Sequence, residues 1–339
     1  MKEVRVAVVG ATGMVGRTFL RVLEEYKLPV SEYVLFASAR SAGTTVPFMG
    51  KEYTIQELTE QSFDSGFDIA LFSAGGATSK AFAPIAAAKG CVVVDNSSQW
   101  RMDATVPLVV PEVNPEALKQ HKNIIANPNC STIQAMLPLK AIDQAYGLER
   151  VVYSTYQSVS GAGLAGYNDL VNGAKAFAEG KDFTPEKFPH PIFGNCIPHI
   201  DVFCENGYTK EEMKMVDETR KILSLPHLRI TATTVRVPVL VGHSESINIE
   251  TKSAFEITDV KNLLAGFHES LVLVDDPEHN QYPMPLACEG KNEVFVGRVR
   301  RDESVENGIN LWCVADNVRK GAATNAVQIA KTMIEHDML

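Results

Sequence analysis

The residues 127–132, Asn-Pro-Asn-Cys-Ser-Thr, combine a nucleophilic side chain with a position that would activate it. The apolar run 123–126 predicts the end of a buried strand, and 133–137 predicts the start of a helix. The first N–H groups of a helix lack intrahelical partners and carry the positive end of its dipole, which favours a thiolate. Cys130 is therefore a candidate nucleophile, although a free cysteine is commonly a small buried apolar residue.

A second candidate site follows the first predicted strand, Val4–Val9. Gly10, Gly13 and Gly16 lead from it into a predicted helix over 17–26. Strand, glycine turn and helix open a dinucleotide-binding fold, in which the glycines permit a tight turn, approach of the pyrophosphate and close helix packing. The spacing is G-x-x-G-x-x-G rather than G-x-G-x-x-G. A glycine-rich connection without a ligand is the alternative.

The loop after the next predicted strand, 33–37, indicates which dinucleotide would bind. NAD sites usually place an acidic residue here to hold the ribose 2′-hydroxyl. This chain instead has Arg40 between Ser38 and Ser41, which suits a 2′-phosphate. The sequence therefore predicts NADP, with a solvated loop arginine as the alternative.

A nucleophilic cysteine beside a hydride-carrying cofactor implies aldehyde chemistry. The thiol adds to a carbonyl, hydride moves, and a thioester links the two oxidation levels. Such a scheme needs a general acid or base, for which histidine is the usual choice. Of eight histidines, His243 follows Gly242 where a glycine interrupts a predicted strand, but the pattern alone does not select it.

Composition narrows the class of protein. The 339 residues allow two domains, and 45% hydrophobic with 22% charged residues are globular values. A net charge of −9 argues against nucleic acid and anionic membranes as partners. Six dispersed cysteines without a C-x-x-C pair predict neither a metal site nor a disulfide framework. Because the chain runs from Met1 into a strand and its apolar runs are short, we expect no signal peptide, no membrane span and a cytoplasmic location.

The predicted elements define an α/β fold class with two domains. Residues 1–129 alternate strands (4–9, 33–37, 68–74, 91–94) with helices (17–26, 77–89), as in a Rossmann-like dinucleotide-binding domain. Residues 130–317 predict an α+β catalytic and dimerisation domain with a large mixed sheet, and a C-terminal helix within 318–339 is expected to complete the first domain. The second domain's predicted strands are 150–159, 229–240, 246–255, 293–299 and 309–314, with a hairpin signal at 307–308, and its predicted helices are 165–179, 210–223 and 259–270.

Over essentially its whole length the chain resembles the aspartate-semialdehyde dehydrogenase family. The matching segments, in order, are GATGMVG at 10–16, NPNCST at 127–132, YQSVSG at 156–161, RVPV at 236–239 with GHSE at 242–245, and DNVRKGAA at 316–323. The resemblance implies that Cys130 is the acyl-thioester nucleophile, His243 the general acid/base and Gln157 the residue that orients the substrate or thioester.

The same resemblance implies a set of ligand contacts. Arg236 would bind the substrate α-carboxylate, and Arg101 and Lys214 would bind phosphate. Glu211 would meet the substrate ammonium, although Glu211 and Lys214 at i, i+3 also fit a surface ion pair. Arg236 and His243 are seven apart, so Pro238 and Gly242 are expected to break the strand between them. The residues implied in NADP binding are Gly10, Thr12, Gly13, Met14, Val15, Arg40, Ser41, Ser160, Gly161 and Asn317.

The implied activity is NADPH-dependent reductive dephosphorylation of L-aspartyl 4-phosphate to L-aspartate 4-semialdehyde, in diaminopimelate, lysine, methionine and threonine biosynthesis. A homodimer through the second domain is implied, with a tetramer as the larger alternative. Two other hypotheses stay open at this point: an N-acetyl-glutamyl-phosphate reductase, and a non-catalytic NADP-binding redox sensor in which Cys130 oxidises reversibly. A cysteine hydrolase is disfavoured because it leaves the nucleotide turn without a role.

Overall fold

The computed structural model describes residues 3–339. The strands are β1 Val4–Val9, β2 Val30–Ala37, β3 Thr45–Phe48, β4 Lys51–Thr54, β5 Gln56–Glu57, β6 Ile69–Phe72, β7 Val92–Asp95, β8 Ile124–Ala126, β9 Leu148–Gln157, β10 Arg229–Arg236, β11 His243–Thr251, β12 Leu271–Leu273, β13 Val294–Asp302 and β14 Gly308–Ala315. The helices are α1 Met14–Tyr26, α2 Gly76–Ala88, α3 Cys130–Tyr146, α4 Gly163–Ala178, α5 Lys210–Leu223, α6 Ile257–Gly266, α7 Pro285–Cys288 and α8 Asn325–Glu335. Within residues 3–339, no helix combines the length and apolarity that a bilayer crossing requires.

The first compact unit consists of the chain up to Asn129 together with Ala322–Leu339. Its sheet has the order β5-β2-β1-β6-β7-β8, and every pairing is parallel. Alternate residues of β1 enter two separate apolar clusters, one that includes α1 and α8 and one that includes α2. Helices on both faces explain why β1 is an unbroken apolar run.

The second compact unit spans Cys130–Gly321. Its sheet has the order β10-β9-β11-β14-β13-β12, with parallel pairs at both ends and antiparallel pairs in the middle. Helix α3 packs against β9 and β11, and α5 packs against β10 and α3. The predicted fold class, a parallel nucleotide-binding sheet followed by an α+β unit with a mixed sheet, is confirmed.

Several predicted boundaries were wrong, and each has a local cause. β10 ends at Arg236 rather than 240, since Pro238 has no N–H to continue a ladder. β11 begins at His243 rather than 246, directly after Gly242 with a φ of +93°. The β13–β14 hairpin closes over residues 303–307, a longer connection than a two-residue turn.

The sequence patterns also missed small elements and one irregular helix. The short β3–β4 hairpin and β5 were not predicted, because their residues are mostly exposed and carry no continuous apolar run. A single C-terminal helix was expected within 318–339. The chain instead forms a π-helical turn at Arg319–Thr324 before α8 begins at Asn325.

Candidate active site

The glycine turn between β1 and α1 leaves no room for side chains at two positions. Gly10 has a φ of +87°, and a Cβ there would lie 2.4 Å from the carbonyl oxygen of Ser73. A Cβ on Gly16 would lie 2.0 Å from the carbonyl oxygen of Gly10. These two glycines therefore bring the start of α1 close to the ends of β1 and β6.

The N-terminus of α1 can accept an anion. Its N-cap, Gly13, supplies no capping side chain, and the first turn carries no acidic residue. Thr12, Met14 and Val15 lie in this turn or in the first turn of the helix. Unpaired N–H groups at a helix N-terminus are the usual site for a phosphate, so this turn fits the pyrophosphate of a dinucleotide.

The end of β2 presents an arginine. Arg40 is exposed in the loop that follows the strand. Ser41 closes a tight turn there, with its N–H donating to the carbonyl of Ser38 at 2.8 Å and its carbonyl accepting from the hydroxyl of Thr44 at 2.7 Å. A cationic side chain thus stands at the strand end where the fold meets the adenosine ribose.

In the second unit, three predicted site residues lie at one end of neighbouring strands. Gln157 ends β9, and Arg236, which ends the parallel strand β10, pairs with it. His243 begins β11, which runs antiparallel to β9, so it lies at the same edge. All three are buried. The break between β10 and β11 places Arg236 and His243 on different strands, and their spacing of seven therefore does not separate them.

Cys130 is the first residue of α3 and is half-buried. One helical turn later, the side-chain amide of Gln134 donates to the carbonyl oxygen of His243 at 3.2 Å, which fixes this end of α3 against β11. Gly321 packs so closely that a Cβ there would lie 2.8 Å from the Cβ of Cys130. The thiol is consequently held at a helix N-terminus beside the strand ends.

Arg236 is the buried cation of this edge. Its Nη1 donates to the carbonyl oxygen of Ser158 at 2.7 Å, and its guanidinium lies 5.8 Å from the ring centre of Phe188. Burial lowers the pKa of the guanidinium, while the negative charges of Glu211 and Cys130 oppose that shift. Arginine stays protonated under such shifts, so Arg236 presents a fixed positive charge near the thiol.

His243 is fully buried and neutral. Its Nδ1 accepts from the backbone N–H of Ser158 at 3.1 Å, and Nε2 has no hydrogen-bond partner in the described chain, residues 3–339. Burial and the charge of Arg236 hold the pKa of His243 well below its usual value. A Cβ on Gly161 would lie 2.8 Å from Nη1 of Arg236 and 3.2 Å from Nε2 of His243. Gly161 therefore packs directly against both groups, and any side chain at this position would press on them.

A chain of polar contacts extends from Gln157 toward solvent. The amide of Gln157 donates to Glu211 at 3.2 Å, and Lys214 pairs with Glu211 at 3.0 Å and with Asp201 at 2.8 Å. Burial alone would lower the pKa of Lys214, but Glu211 and Asp201 outweigh it and raise the pKa. The ion pair considered from the i, i+3 spacing is present, although Glu211 is buried rather than on the surface.

Arg101 belongs to the first unit. Its Nε donates to the carbonyl oxygen of Asn127 at 2.9 Å and its Nη2 to that of Asn96 at 3.0 Å. The guanidinium is buried and held by backbone at the carboxyl ends of β7 and β8. Parallel sheets of this type bind ligands at that edge.

Ser160 and Asn317, which were predicted to contact the cofactor, belong to a hydrogen-bond network with the residues next to His243. Oδ1 of Asn317 accepts from the N–H of Gly242 at 2.9 Å and from the hydroxyls of Ser158 at 3.0 Å and Ser160 at 3.1 Å. The sequence predicted roles for Gln157, Ser160 and Gly161 in the same segment but none for Ser158. Ser158 reaches His243 because β9 pairs with β11, although the two residues are far apart in the sequence.

Glu245 is a second buried group that the patterns missed. It is 0% exposed, and within residues 3–339 neither carboxyl oxygen has a hydrogen-bond partner. Burial, and secondarily the charge of Glu211, raises the pKa of Glu245 well above its usual value. Burial therefore favours the protonated, uncharged carboxyl. The only sequence signal for it was a charged residue inside an otherwise strand-like segment.

The first unit has the form of a dinucleotide-binding domain. The second unit brings His243 and Arg236, at strand ends, close to Cys130 at the start of α3. Together these features define the chain as a semialdehyde dehydrogenase with an NAD(P)-binding domain. A family model described as "Semialdehyde dehydrogenase, NAD binding domain" matches residues 5–121, and one described as "Semialdehyde dehydrogenase, dimerisation domain" matches residues 139–320. Aspartate-semialdehyde dehydrogenases of Aquifex aeolicus (strain VF5) and Bacillus subtilis (strain 168) are 55% and 49% identical, over 99% and 98% of both chains. The chain belongs to the aspartate-semialdehyde dehydrogenase family.

A solved relative agrees in fold along the whole chain. The structure described as aspartate semialdehyde dehydrogenase II complexed with ASA from Vibrio cholerae has a TM-score of 0.95 and 49% identity, over 99% of each chain. This agreement extends over both compact units of the chain.

Proposed function

We propose that this chain catalyses the reversible, NADPH-dependent reductive dephosphorylation of L-aspartyl 4-phosphate to L-aspartate 4-semialdehyde. The observation that carries the proposal is the edge of the second sheet, where Arg236, Gln157 and His243 converge beside Cys130. Family membership favours aspartate semialdehyde over an N-acetyl-glutamyl substrate. The buried carboxylate of Glu211 also favours a substrate with a free ammonium, which an acylated amine lacks.

NADP is the cofactor that the residues of the first unit fit. The glycine turn and the N-terminus of α1 would hold the pyrophosphate through Gly10, Thr12, Gly13, Met14 and Val15. Arg40 and Ser41 would meet the 2′-phosphate, since a guanidinium binds a phosphate with two parallel hydrogen bonds. When bound, the reduced cofactor supplies hydride to the acyl carbon. Ser160, Gly161 and Asn317 are proposed to meet its nicotinamide end.

Cys130 is proposed to act as the nucleophile. The N-terminus of α3 and the charge of Arg236 favour its thiolate. The sulfur attacks the carbonyl carbon of the acyl phosphate, the carbon–oxygen bond to phosphate breaks, and a thioester remains. Arg101 and Lys214 are proposed to take the departing phosphate, which gains its proton from solvent.

The remaining side chains are proposed to position the substrate. Arg236 would hold the α-carboxylate in a bidentate contact, and Glu211 would meet the ammonium. Gln157 would orient the carbonyl group of the substrate. His243 would act on the carbonyl oxygen while negative charge develops on that oxygen. Once hydride has reached the carbon, the carbon–sulfur bond breaks, the semialdehyde leaves and the Cys130 thiolate is restored.

The assembly and pathway follow from the same proposal. We propose that residues 1–129 with the C-terminal segment 318–339 form the NADP-binding domain, and that 130–317 forms the catalytic and dimerisation domain of a homodimer. The product would feed diaminopimelate, lysine, methionine and threonine biosynthesis.

The proposal is tested by NADP reduction with aspartate semialdehyde, with and without phosphate or arsenate. We expect reduction that depends on both the semialdehyde and the oxyanion. N-acetyl-glutamate semialdehyde should give none. Thiol oxidation with NADP binding but no such turnover would instead support a redox sensor and refute the proposal.

A further inference from the structure

Asn317 links the segments that surround His243. Its Oδ1 accepts three hydrogen bonds, from the N–H of Gly242 and from the hydroxyls of Ser158 and Ser160. A backbone N–H can only donate, so the atom facing Gly242 must be the amide oxygen rather than the nitrogen. The contact with Gly242 holds the backbone immediately before His243. The contact with Ser158 holds the residue that hydrogen-bonds to the His243 ring.

The hydrogen bond from Ser158 determines where the imidazole carries its proton. The backbone N–H of Ser158 donates to Nδ1 of His243 at 3.1 Å. Because this donor cannot become an acceptor, it favours an unprotonated Nδ1. The hydroxyl of Ser158 also lies 3.1 Å from Nδ1 and can donate to the same nitrogen. A neutral imidazole has one N–H, which in this arrangement lies on Nε2, the nitrogen that has no partner within residues 3–339 and lies beside Gly161.

The charges around His243 also oppose an imidazolium. Arg236 on β10 is the cation that acts on the ring. Cys130 on α3 and Glu211 on α5 act on Arg236, and burial raises the pKa of Glu245, two residues along β11, which favours its uncharged form. Protonation of His243 would place Nδ1–H against the N–H of Ser158 and a second cation beside Arg236. Both effects favour the neutral ring.

We propose that Asn317 and Ser158 are positioning residues that hold His243 as the neutral Nε2–H tautomer, which stabilises the substrate oxyanion by a hydrogen bond without releasing its proton. This inference rests on the proposed function and narrows the acid–base role expected for His243. A neutral imidazole can polarise a carbonyl in this way when its pKa is depressed.

The proton balance of the reaction agrees with that role. Hydride addition to the thioester carbon moves an electron pair onto the carbonyl oxygen. Collapse then reforms the carbon–oxygen double bond and expels the Cys130 thiolate. Because the product is an aldehyde, a proton delivered to that oxygen would have to be removed again. A donor that keeps its proton is sufficient, and Nε2–H is restored without a separate step.

Nitrogen NMR of the full-length protein labelled at the histidine ring nitrogens tests the tautomer. The His243 signals are assigned by their loss in His243→Gln. Between pH 6 and 9 we expect one neutral species protonated at Nε2, with no imidazolium. An imidazolium that titrates near the ordinary pKa of histidine, or a species protonated at Nδ1, would overturn the proposal.

Two variants of Asn317 separate positioning from a merely structural role. Asn317→Ala removes the acceptor that holds Ser158 and Gly242 beside the ring, so we expect an Nδ1-protonated fraction of His243 to appear and kcat to fall at least tenfold. Asn317→Asp keeps the acceptor and adds a negative charge, so His243 should become protonated at higher pH than in the wild type, with kcat falling as it does. Asn310→Ala on β14, which removes a hydrogen bond from Asn248, is the matched control and should leave the tautomer and kcat unchanged.

The outcomes distinguish this inference from the proposed function. Wild-type turnover of aspartate semialdehyde with a protonated His243 would refute the inference and leave the function standing. An Nε2–H tautomer in a protein that shows no such turnover would refute the function, and with it the oxyanion role. Unchanged NMR spectra and kinetics in both Asn317 variants would remove Asn317 as a positioning residue.

Discussion

Replacing Gly161 with alanine tests whether Arg236 and His243, which pack against Gly161, hold the substrate. Gly161 does not have a positive φ, so its backbone accepts alanine without strain. The added Cβ would lie 2.8 Å from Nη1 of Arg236 and 3.2 Å from both Nε2 and Cε1 of His243. The atoms nearest the added Cβ all belong to these two groups, so the expected effect of the substitution is steric.

The magnitude follows from the size of the overlap. The contact with Arg236 is about 0.6 Å shorter than the 3.4 Å at which ordinary contact begins. The guanidinium is flexible at its far end, but moving it weakens the 2.7 Å hydrogen bond to Ser158. Displacements near 1 Å cost about 100-fold in rate, so we expect kcat/KM for aspartate semialdehyde to fall by about 10- to 100-fold, or about 1.4 to 2.7 kcal/mol.

Steady-state kinetics with each substrate varied in turn measures the effect. We expect the KM for aspartate semialdehyde to rise more than the KM for NADP. Gly266→Ala at the end of α6 is the matched control, because no atom lies within 4 Å of its added Cβ. It should leave kcat/KM within about twofold, the scatter expected of surface changes.

Two results would refute the reasoning. If Gly161→Ala and Gly266→Ala are both within twofold of the wild type, the groups beside Gly161 are not part of the substrate site. If Gly161→Ala raises only the KM for NADP, Gly161 borders the cofactor, as the family resemblance implied.

Three further predictions concern the nucleophile, the anion site and the buried carboxyl. Cys130→Ala should abolish phosphate-dependent NADP reduction, because the thiol acts on the reacting carbon alone. The affinity for NADPH, measured by fluorescence titration, should stay within about threefold of the wild type. Loss of both turnover and NADPH binding would mean that the thiol is structural. Arg236→Lys should lower kcat/KM for aspartate semialdehyde by about 100-fold because an ammonium cannot form the bidentate contact, and near-normal kinetics would contradict the carboxylate role. The raised pKa of Glu245 means that the folded chain keeps a proton which the unfolded chain releases above its ordinary carboxyl pKa, so stability is lost as pH rises. In urea unfolding between pH 5 and 8, the free energy of unfolding should fall with pH less steeply in Glu245→Gln than in the wild type, by up to about 1.4 kcal/mol per pH unit. The same pH dependence of the free energy of unfolding in both proteins would contradict this prediction.

Local patterns predicted the elements with strong periodicity. The apolar run of β1 and the glycines that follow it predicted the first βα unit, because a parallel strand covered on both faces must be continuously apolar. The capping box of α5, in which Thr209 and Glu212 bond each other's backbone, likewise fixed the start of that helix. Weak elements such as β3 and β4 were missed because exposed residues leave no periodic signal.

The arrangement of the site was less accessible from sequence. The position of Cys130 at a helix start followed from its neighbours in the chain, but the hydrogen bond between Ser158 and His243 joins residues 85 apart. Similarly, Asn317 contacts Ser158 at a separation of 159 residues. Such contacts depend on which strands pair and in what register, and no local pattern encodes that pairing.

The central claim is that the sulfur of Cys130 carries the acyl group. Intact-protein and peptide mass spectrometry of enzyme quenched during reaction with aspartate semialdehyde and NADP, with no phosphate present, tests it most directly. We expect an aspartyl adduct on the peptide that contains Cys130, lost on addition of phosphate and absent from Cys130→Ala. A turning-over enzyme with no adduct at Cys130, or with the adduct on another cysteine, would contradict the account.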